Sequence, residues 1–167
     1  WSRGLKVAYS NLAGETFEAA SNYNLLVIPM FVLMGNLASV SGMSKDLFTA
    51  AYRWMGHLRG GLASATIAAC AGFAALSGSS LASAVTMGRV ALPEMKKYKY
   101  ADSLATGSVA AGGTLGFLIP PSGGMIIYAV LTEQSIGRLF MAAVFPGIIL
   151  TLLFVAAIYC HHALASW

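Results

Sequence analysis

Charge is scarce in this chain. Lys and Arg together number 10 and Asp and Glu 6, so 10% of the 167 residues are charged, against roughly 25% in an ordinary soluble domain. Hydrophobic residues reach 57% and the mean hydropathy is +0.72. A soluble fold of this length would struggle to cover so much apolar surface, which places the chain among membrane proteins. The stretches 60–88 and 103–132 hold no acidic or basic residue at all, which argues against an intramembrane proton relay. Histidine is confined to His57, His161 and His162, so no serine within those stretches has a base beside it, and GSSLA does not fit the G-x-S-x-G elbow. An intramembrane hydrolase is disfavoured on both counts. The same histidines lack a third ligand on their side, which disfavours a metal centre. Cys70 and Cys160 are the only cysteines. Both sit in apolar segments as small side chains and say little about redox compartment. No basic n-region with a short apolar core and cleavage site is present.

The net charge is +4 and the isoelectric point about 9.2. In a soluble protein this balance would suggest nucleic acid. Here the basic residues cluster beside apolar spans, which fits membrane orientation, and no basic–aromatic stripe supports nucleic-acid binding. The chain opens Trp1-Ser2-Arg3 without an initiator methionine and reads as a piece of a longer protein.

What is present is more telling. Each of the two uncharged stretches is broken at its middle by turn residues. The first is interrupted by SGSS at 77–80, the second by GFLIPPSGG at 116–124. Irregular backbone at membrane depth survives only where protein or a water-filled cavity satisfies its N–H and C=O groups. Broken helices of this kind are how secondary transporters build substrate and ion sites near the midplane.

The N-terminal segment 1–59 contains one expected spanning helix at about 22–41, with Pro29 and Gly35 able to bend it or let a neighbour approach. An amphipathic helix is expected at about 44–59. Leu47, Phe48, Ala51, Trp54, Met55 and Leu58 recur at helical spacing among Lys45, Arg53, His57 and Arg59, which suits a helix lying along the interface. From 60 to 91 two legs of roughly 15 residues would each rise about 22 Å, short of the ~30 Å hydrocarbon core. Arg53 and Arg59 precede them, and Arg89, Lys96, Lys97 and Lys99 follow. Both flanks are therefore cytoplasmic under the positive-inside rule, and the segment is expected to be a re-entrant hairpin. Residues 92–102 are expected as a cytoplasmic loop. Residues 103–132 are expected to form one crossing in two half-helices, 103 to about 116 and 122 to 132, with an unwound centre between them where Pro120 and Pro121 remove two donors. An external loop carrying Glu133 and Arg138 leads into a return span at about 141–160, bent at Pro146. The fold class is all-α and integral to the membrane: spanning helices, a re-entrant hairpin and a discontinuous helix.

At this point the wording of the chain resembles a known family. IPMFVLMGNL, GGLASATIAACAGFAALSGSSLASAVTMGRVALPEM, GTLGFLIPPSG and SIGRLFMAAVFPG, in that order, resemble the large membrane subunit of tripartite ATP-independent periplasmic (TRAP) transporters, from about residue 22 to 159. The resemblance implies a bacterial or archaeal inner-membrane, multi-pass permease that is not an enzyme. It would import a small organic acid, such as a C4-dicarboxylate, with Na+ as coupling ion and no other cofactor. It also implies an elevator motion and three further partners: a small membrane subunit, a periplasmic substrate-binding protein and the carboxylate itself. The family's large subunit carries two inverted copies of hairpin plus broken helix, and only the first is present, with 60–132 as half of the transport domain.

The hairpin tip brings the C-terminal end of one half-helix to the N-terminal end of the next. Free carbonyls at the first can coordinate a cation, and N–H groups at the second attract a carboxylate. The expected sodium ligands are Ser77, Gly78, Ser79, Gly113, Thr114 and Gly116. Ser79, Ser80, Pro120, Pro121 and Ser122 are expected beside the substrate carboxylate, with Ser122 as N-cap of the second half-helix. Glycine in membrane helices is more often a packing residue, and Gly61, Gly72, Gly107 and Gly112 are read so. Arg89 reads as an anchor at the cytoplasmic interface. Two other transport classes remain open. A channel would show a pore-lining polar stripe or a repeated filter loop, and neither is present. A sodium–carboxylate carrier working without a binding protein would share the architecture but not the PEMKKYKY and GFLIPPSG wording.

Overall fold

The computed structural model describes residues 9, 11–14, 23–58 and 60–165. Arg59 and the expected start of the first span at residue 22 lie outside them. Among the described residues seven helices follow one another from Tyr23 onward: α1 (Tyr23–Val40), α2 (Met43–Met55), α3 (Gly61–Ser77), α4 (Ser80–Lys97), α5 (Asp102–Leu118), α6 (Gly123–Leu131) and α7 (Ile136–Ala165). No strand occurs among the described residues. The molecule is an all-α bundle with a discontinuous helix. Two stretches are long and apolar enough to cross a membrane, Asp102–Leu131 (which contains the break) and Ile136–His161.

The bundle is organised around α3. Its sequence, GLASATIAACAGFAALS, is uncharged and built of small residues on every face, the pattern of a helix surrounded by others. It packs against α1, α2, α4, α5 and α7. Ala63, Ala65, Ile67, Cys70, Phe73 and Ala74 are fully buried. Small residues set the spacing. A Cβ on Gly112 of α5 would lie 2.7 Å from the Cys70 sulfur, and one on Gly35 of α1 would lie 3.0 Å from the Ser77 backbone. Both helices approach α3 at a distance only a bare backbone allows. Amphipathic α2 lies over α3 with Ser44 and Phe48 buried, while Trp54 stands 85% exposed. Gly42 (φ 82°) and Gly60 (φ 73°) bracket it in the left-handed region, where glycine carries no Cβ penalty.

Several boundaries differ from the sequence expectation. α4 runs to Lys97 through Pro93, so the loop expected at 92–102 shrinks to 98–101. Proline at 93 deprives only the Arg89 carbonyl, and Arg89 is exposed. Fully buried Met95 holds the following turn onto the bundle. The helix then stops in a Schellman motif, with Tyr100 N–H donating to the Met95 carbonyl (3.1 Å) and Lys99 N–H to that of Lys96 (3.1 Å), Lys99 taking φ 56°. α6 ends the same way at Glu133 (φ 53°), with Gln134 N–H donating to the Ala129 carbonyl (2.9 Å). α7 begins at Ile136 rather than 141 and continues past Pro146. Arg138 is thus in its first turn and the expected external loop is only 133–135. At 17 and 18 residues, α3 and α4 rise about 25–27 Å.

Enclosure of α3 has a direct chemical readout. In a Cys160→Ser variant, the Cys70 thiol is expected to resist N-ethylmaleimide in the folded protein and to react fully after denaturation. Labelling of the native protein at the rate of a free thiol would show that α3 is not enclosed as described.

Candidate functional site

The α3–α4 tip and the α5–α6 break meet at the centre of the bundle. Two residues, Gly78 and Ser79, separate α3 from α4. Gly78 takes φ 60° and its N–H donates to the Ala74 carbonyl, closing α3. Ser79 is extended (φ −132°) and its Oγ accepts from Ala82 N–H at 3.3 Å, the N-cap arrangement that opens α4. On the other side α5 and α6 are joined by residues 119–122, with a cis peptide bond between Pro120 and Pro121. The two interruptions are hydrogen-bonded to each other: Gly123 N–H donates to the Gly78 carbonyl at 3.1 Å. A Cβ on Gly78 would come within 2.5 Å of the Pro121 carbonyl oxygen, and one on Gly116 within 2.8 Å of the Ser79 carbonyl and Ser80 nitrogen.

A cavity of about 240 Å³ opens at this junction, lined by Ser77, Gly78, Ser79 and Ser80 from the tip and by Phe117, Gly123 and Gly124 from the second interruption, with Val32 and Ile126 beside them. No charged side chain lines it. Its electrostatics come from backbone: the C-termini of α3 and α5 contribute partial negative charge, the N-termini of α4 and α6 partial positive charge. Pro120 and Pro121 have no N–H to offer the carbonyls of Gly116 and Phe117, which a continuing helix would pair with residues 120 and 121. Such a junction can hold a cation on neutral oxygens and an anion on N–H groups side by side.

The expected site residues divide into those at the junction and those away from it. Ser77, Gly78, Ser79 and Ser80 line the cavity, and Gly116 abuts the tip. Ser77 Oγ pairs with Ser83 Oγ at 2.9 Å, while the Ser80 hydroxyl makes no hydrogen bond among the described residues. Pro120 and Pro121 form the break without lining the cavity. Gly113 and Thr114 lie inside α5, where helical geometry uses their carbonyls within the helix. Gly113 serves close approach, since its Cβ would meet that of Ala84 at 2.6 Å. Thr114 is exposed and its hydroxyl donates to the Ala111 carbonyl at 2.6 Å. The second half-helix starts at Ser122 as N-cap, as expected. The unwound centre is 119–122: α5 runs to Leu118 rather than stopping at about Gly116, because glycine permits unwinding and proline enforces it. The free carbonyls therefore start at Gly116 instead of Gly113. Ser122 takes the N-cap position of α6 but makes no side-chain cap bond. Its Oγ is fully buried and without a partner, a state that buried hydroxyls rarely keep.

Sequence reasoning missed Ser83, which could have been found from its i+4 spacing to Ser79, putting it over the same turn. Gly123 and Gly124 lie inside the interruption expected at 116–124 but without an expected ligand role; that of Gly123 is played by its backbone N–H.

The chain as a whole is similar to known proteins. Residues 7–167 match the family model described as the tripartite ATP-independent periplasmic transporter, DctM component. The chain belongs to that family. It is 44% identical over 149 residues to the C4-dicarboxylate TRAP transporter large permease protein DctM of Pseudomonas aeruginosa, covering 89% of this chain and 35% of that protein. It is 39% identical over 137 residues to the ectoine TRAP transporter large permease protein TeaC of Halomonas elongata, covering 82% and 32%. It is 36% identical over 148 residues to the sialic acid TRAP transporter large permease protein SiaM of Vibrio cholerae, covering 89% and 34%. The chain spans about a third of the length of these relatives. DctM-family proteins are membrane transport proteins of the inner membrane, not enzymes.

The junction makes contrasting demands on two glycines. Gly78→Ala must place a Cβ at positive φ and against the Pro121 carbonyl, and is expected to destabilise by at least about 1–2 kcal/mol. Gly107→Ala, with open space around its α-carbon, is expected to leave stability unchanged or raise it by up to about 1 kcal/mol. Thermal unfolding of both variants in detergent checks the pair.

Proposed function

We propose that this chain is the first transport-domain half, with its preceding scaffold helix, of a sodium-coupled permease that imports a small organic acid. The observation carrying this reading is the hydrogen bond from Gly123 N–H to the Gly78 carbonyl, which joins two helix interruptions around an uncharged cavity. α3 and α4 are a re-entrant hairpin, entering and leaving on the cytoplasmic side where Arg53, Arg89, Lys96, Lys97 and Lys99 lie. α5 and α6 are one crossing in two halves.

Sodium is held by neutral oxygens: the carbonyls at the end of α3, those of Gly116 and Phe117 at the end of α5, and the hydroxyls of Ser77 and Ser79. Sodium bound to unwound carbonyls and helix C-termini needs no carboxylate ligand. The substrate carboxylate lies toward the α4 and α6 N-termini, where backbone N–H groups and the Ser80 hydroxyl donate to it. Ser122, buried just behind, has a hydroxyl free to reach an ion, a water or the substrate. Sodium beside the carboxylate lowers the cost of bringing either charge into the site, which couples the two. The cycle is an elevator movement of hairpin and broken helix against the scaffold. A small membrane subunit braces that scaffold, and a periplasmic binding protein delivers the substrate.

The relatives named for C4-dicarboxylate, ectoine and sialic acid transport support a carboxylate-bearing solute, with a C4-dicarboxylate first among candidates. The test is uptake by proteoliposomes containing the complete large subunit, its small subunit and its binding protein. Saturable uptake of a labelled organic acid is expected, collapsing without a sodium gradient and without the binding protein. Persistence without the binding protein would move the chain to binding-protein-independent carriers. In the same assay Ser79→Ala is expected to weaken apparent sodium affinity about tenfold, a loss of roughly 1.4 kcal/mol, typical of one hydrogen bond or ligand. Unaltered sodium dependence in that variant would remove Ser79 from the site.

A further inference from the structure

A second cavity, of about 400 Å³, lies between α2 and the C-terminal half of α4, away from the junction. Its floor is apolar, with Phe48 and Leu62 both buried. Its rim carries Lys45 and Arg89, with the hydroxyls of Thr49, Tyr52 and Tyr98. One carboxylate, Glu94, also lines it. That carboxylate is already engaged: Lys97 Nζ donates to Glu94 Oε1 at 2.6 Å, the only ion pair among the described residues. Lys45 and Arg89 therefore face the cavity with no anionic partner of their own among those residues.

Two unpaired cations and two tyrosine hydroxyls over an apolar floor fit an amphiphile with a phosphate head. The cations take the charge, the Tyr52 and Tyr98 hydroxyls can donate to remaining phosphate oxygens, and the floor accepts the glycerol and the first acyl carbons. The Thr49 hydroxyl already donates to the Lys45 carbonyl at 2.8 Å. The surroundings agree. α2 is amphipathic with exposed Trp54 near its C-terminal end, as a helix at headgroup depth requires, and Lys96 and Lys99 continue the basic surface beside the cavity. We propose that this cavity is a binding site for one anionic phospholipid of the cytoplasmic leaflet, with Lys45 and Arg89 holding its phosphate. The lipid would join α2 to the hairpin through a noncovalent contact on the cytoplasmic side. The proposal rests on the membrane orientation given above, not on the sodium chemistry.

The experiment uses the intact permease containing this segment, in phosphatidylcholine vesicles with and without about one-fifth phosphatidylglycerol, followed by mild extraction and native mass spectrometry. The parent protein is expected to retain one phosphatidylglycerol per permease above the phosphatidylcholine background. In Lys45→Gln/Arg89→Gln, affinity for it should fall about thirtyfold, at roughly a fivefold loss for each cation near the surface. Lys45→Arg/Arg89→Lys should retain it, which separates lost charge from lost fold. So should Lys96→Gln/Lys99→Gln, whose charges lie in the last turn of α4 and in the loop after it. Equal retention by the Gln/Gln variant overturns the proposal. So does equal loss in the Lys96/Lys99 variant, which would mean diffuse attraction. Displacement of the lipid by soluble glycerol phosphate at matching concentration would assign the cavity to free anions instead. Sodium-dependent uptake by the same vesicles reports separately on the transport reading, so the two ideas can fail independently.

Discussion

A backbone that leaves its helix inside hydrocarbon must find partners for the polar groups it exposes. Here two helix interruptions are placed against each other, and the hydrogen bond from Gly123 N–H to the Gly78 carbonyl is where they meet. Everything nearby follows from keeping that meeting close. Gly78 and Gly116 have no Cβ because the opposing backbone occupies the space. Ser77 and Ser83 share a hydrogen bond that ties the two legs of the hairpin beneath the tip. The prolines at 120 and 121 fix where α5 stops, and so decide which carbonyls are left to do something other than hold a helix together.

Packing serves the same end by a different route. Lipid tails give no hydrophobic drive for helix association, so contact area and close approach must supply it. α3 obtains both by being small and apolar on all sides, and five helices surround it. The consequence is a junction whose walls are rigid backbone rather than long side chains. An ion or carboxylate there meets dipoles already oriented, with little reorganisation left to make.

Much of the architecture could be read from the residues. The absence of charge from 60–88 and 103–132, together with SGSS and IPPSG in their middles, located both interruptions. Length and flanking basic residues suggested where each segment starts and ends. Boundaries were harder. Pro93 looks like a break but lies inside a helix, as Pro146 does within the expected return span, because one missing hydrogen bond costs less than the packing on either side returns. Gly113 and Thr114 looked like part of the break because glycine is ambiguous. It marks a turn and a close contact with the same letter, and only the three-dimensional neighbour, here Ala84, tells them apart. The positive-φ ends at Lys99 and Glu133 carried no glycine to announce them. Gly123 was legible as part of the break but not as the donor across it, because backbone atoms, which every residue has, perform that part.

The two left-handed glycines that bracket α2 bear on mechanics. α2 is the covalent link between α1 and the hairpin, and it is stiff along its 13 residues. If the hairpin shifts relative to α1, the rotation concentrates at Gly42 and Gly60, where φ can change with the least steric resistance. α2 then behaves as a connecting rod with a pin joint at each end. Its length sets the radius of any such arc, and its apolar underside, resting on α3, decides how much of the stroke the hairpin can make before that contact must slide.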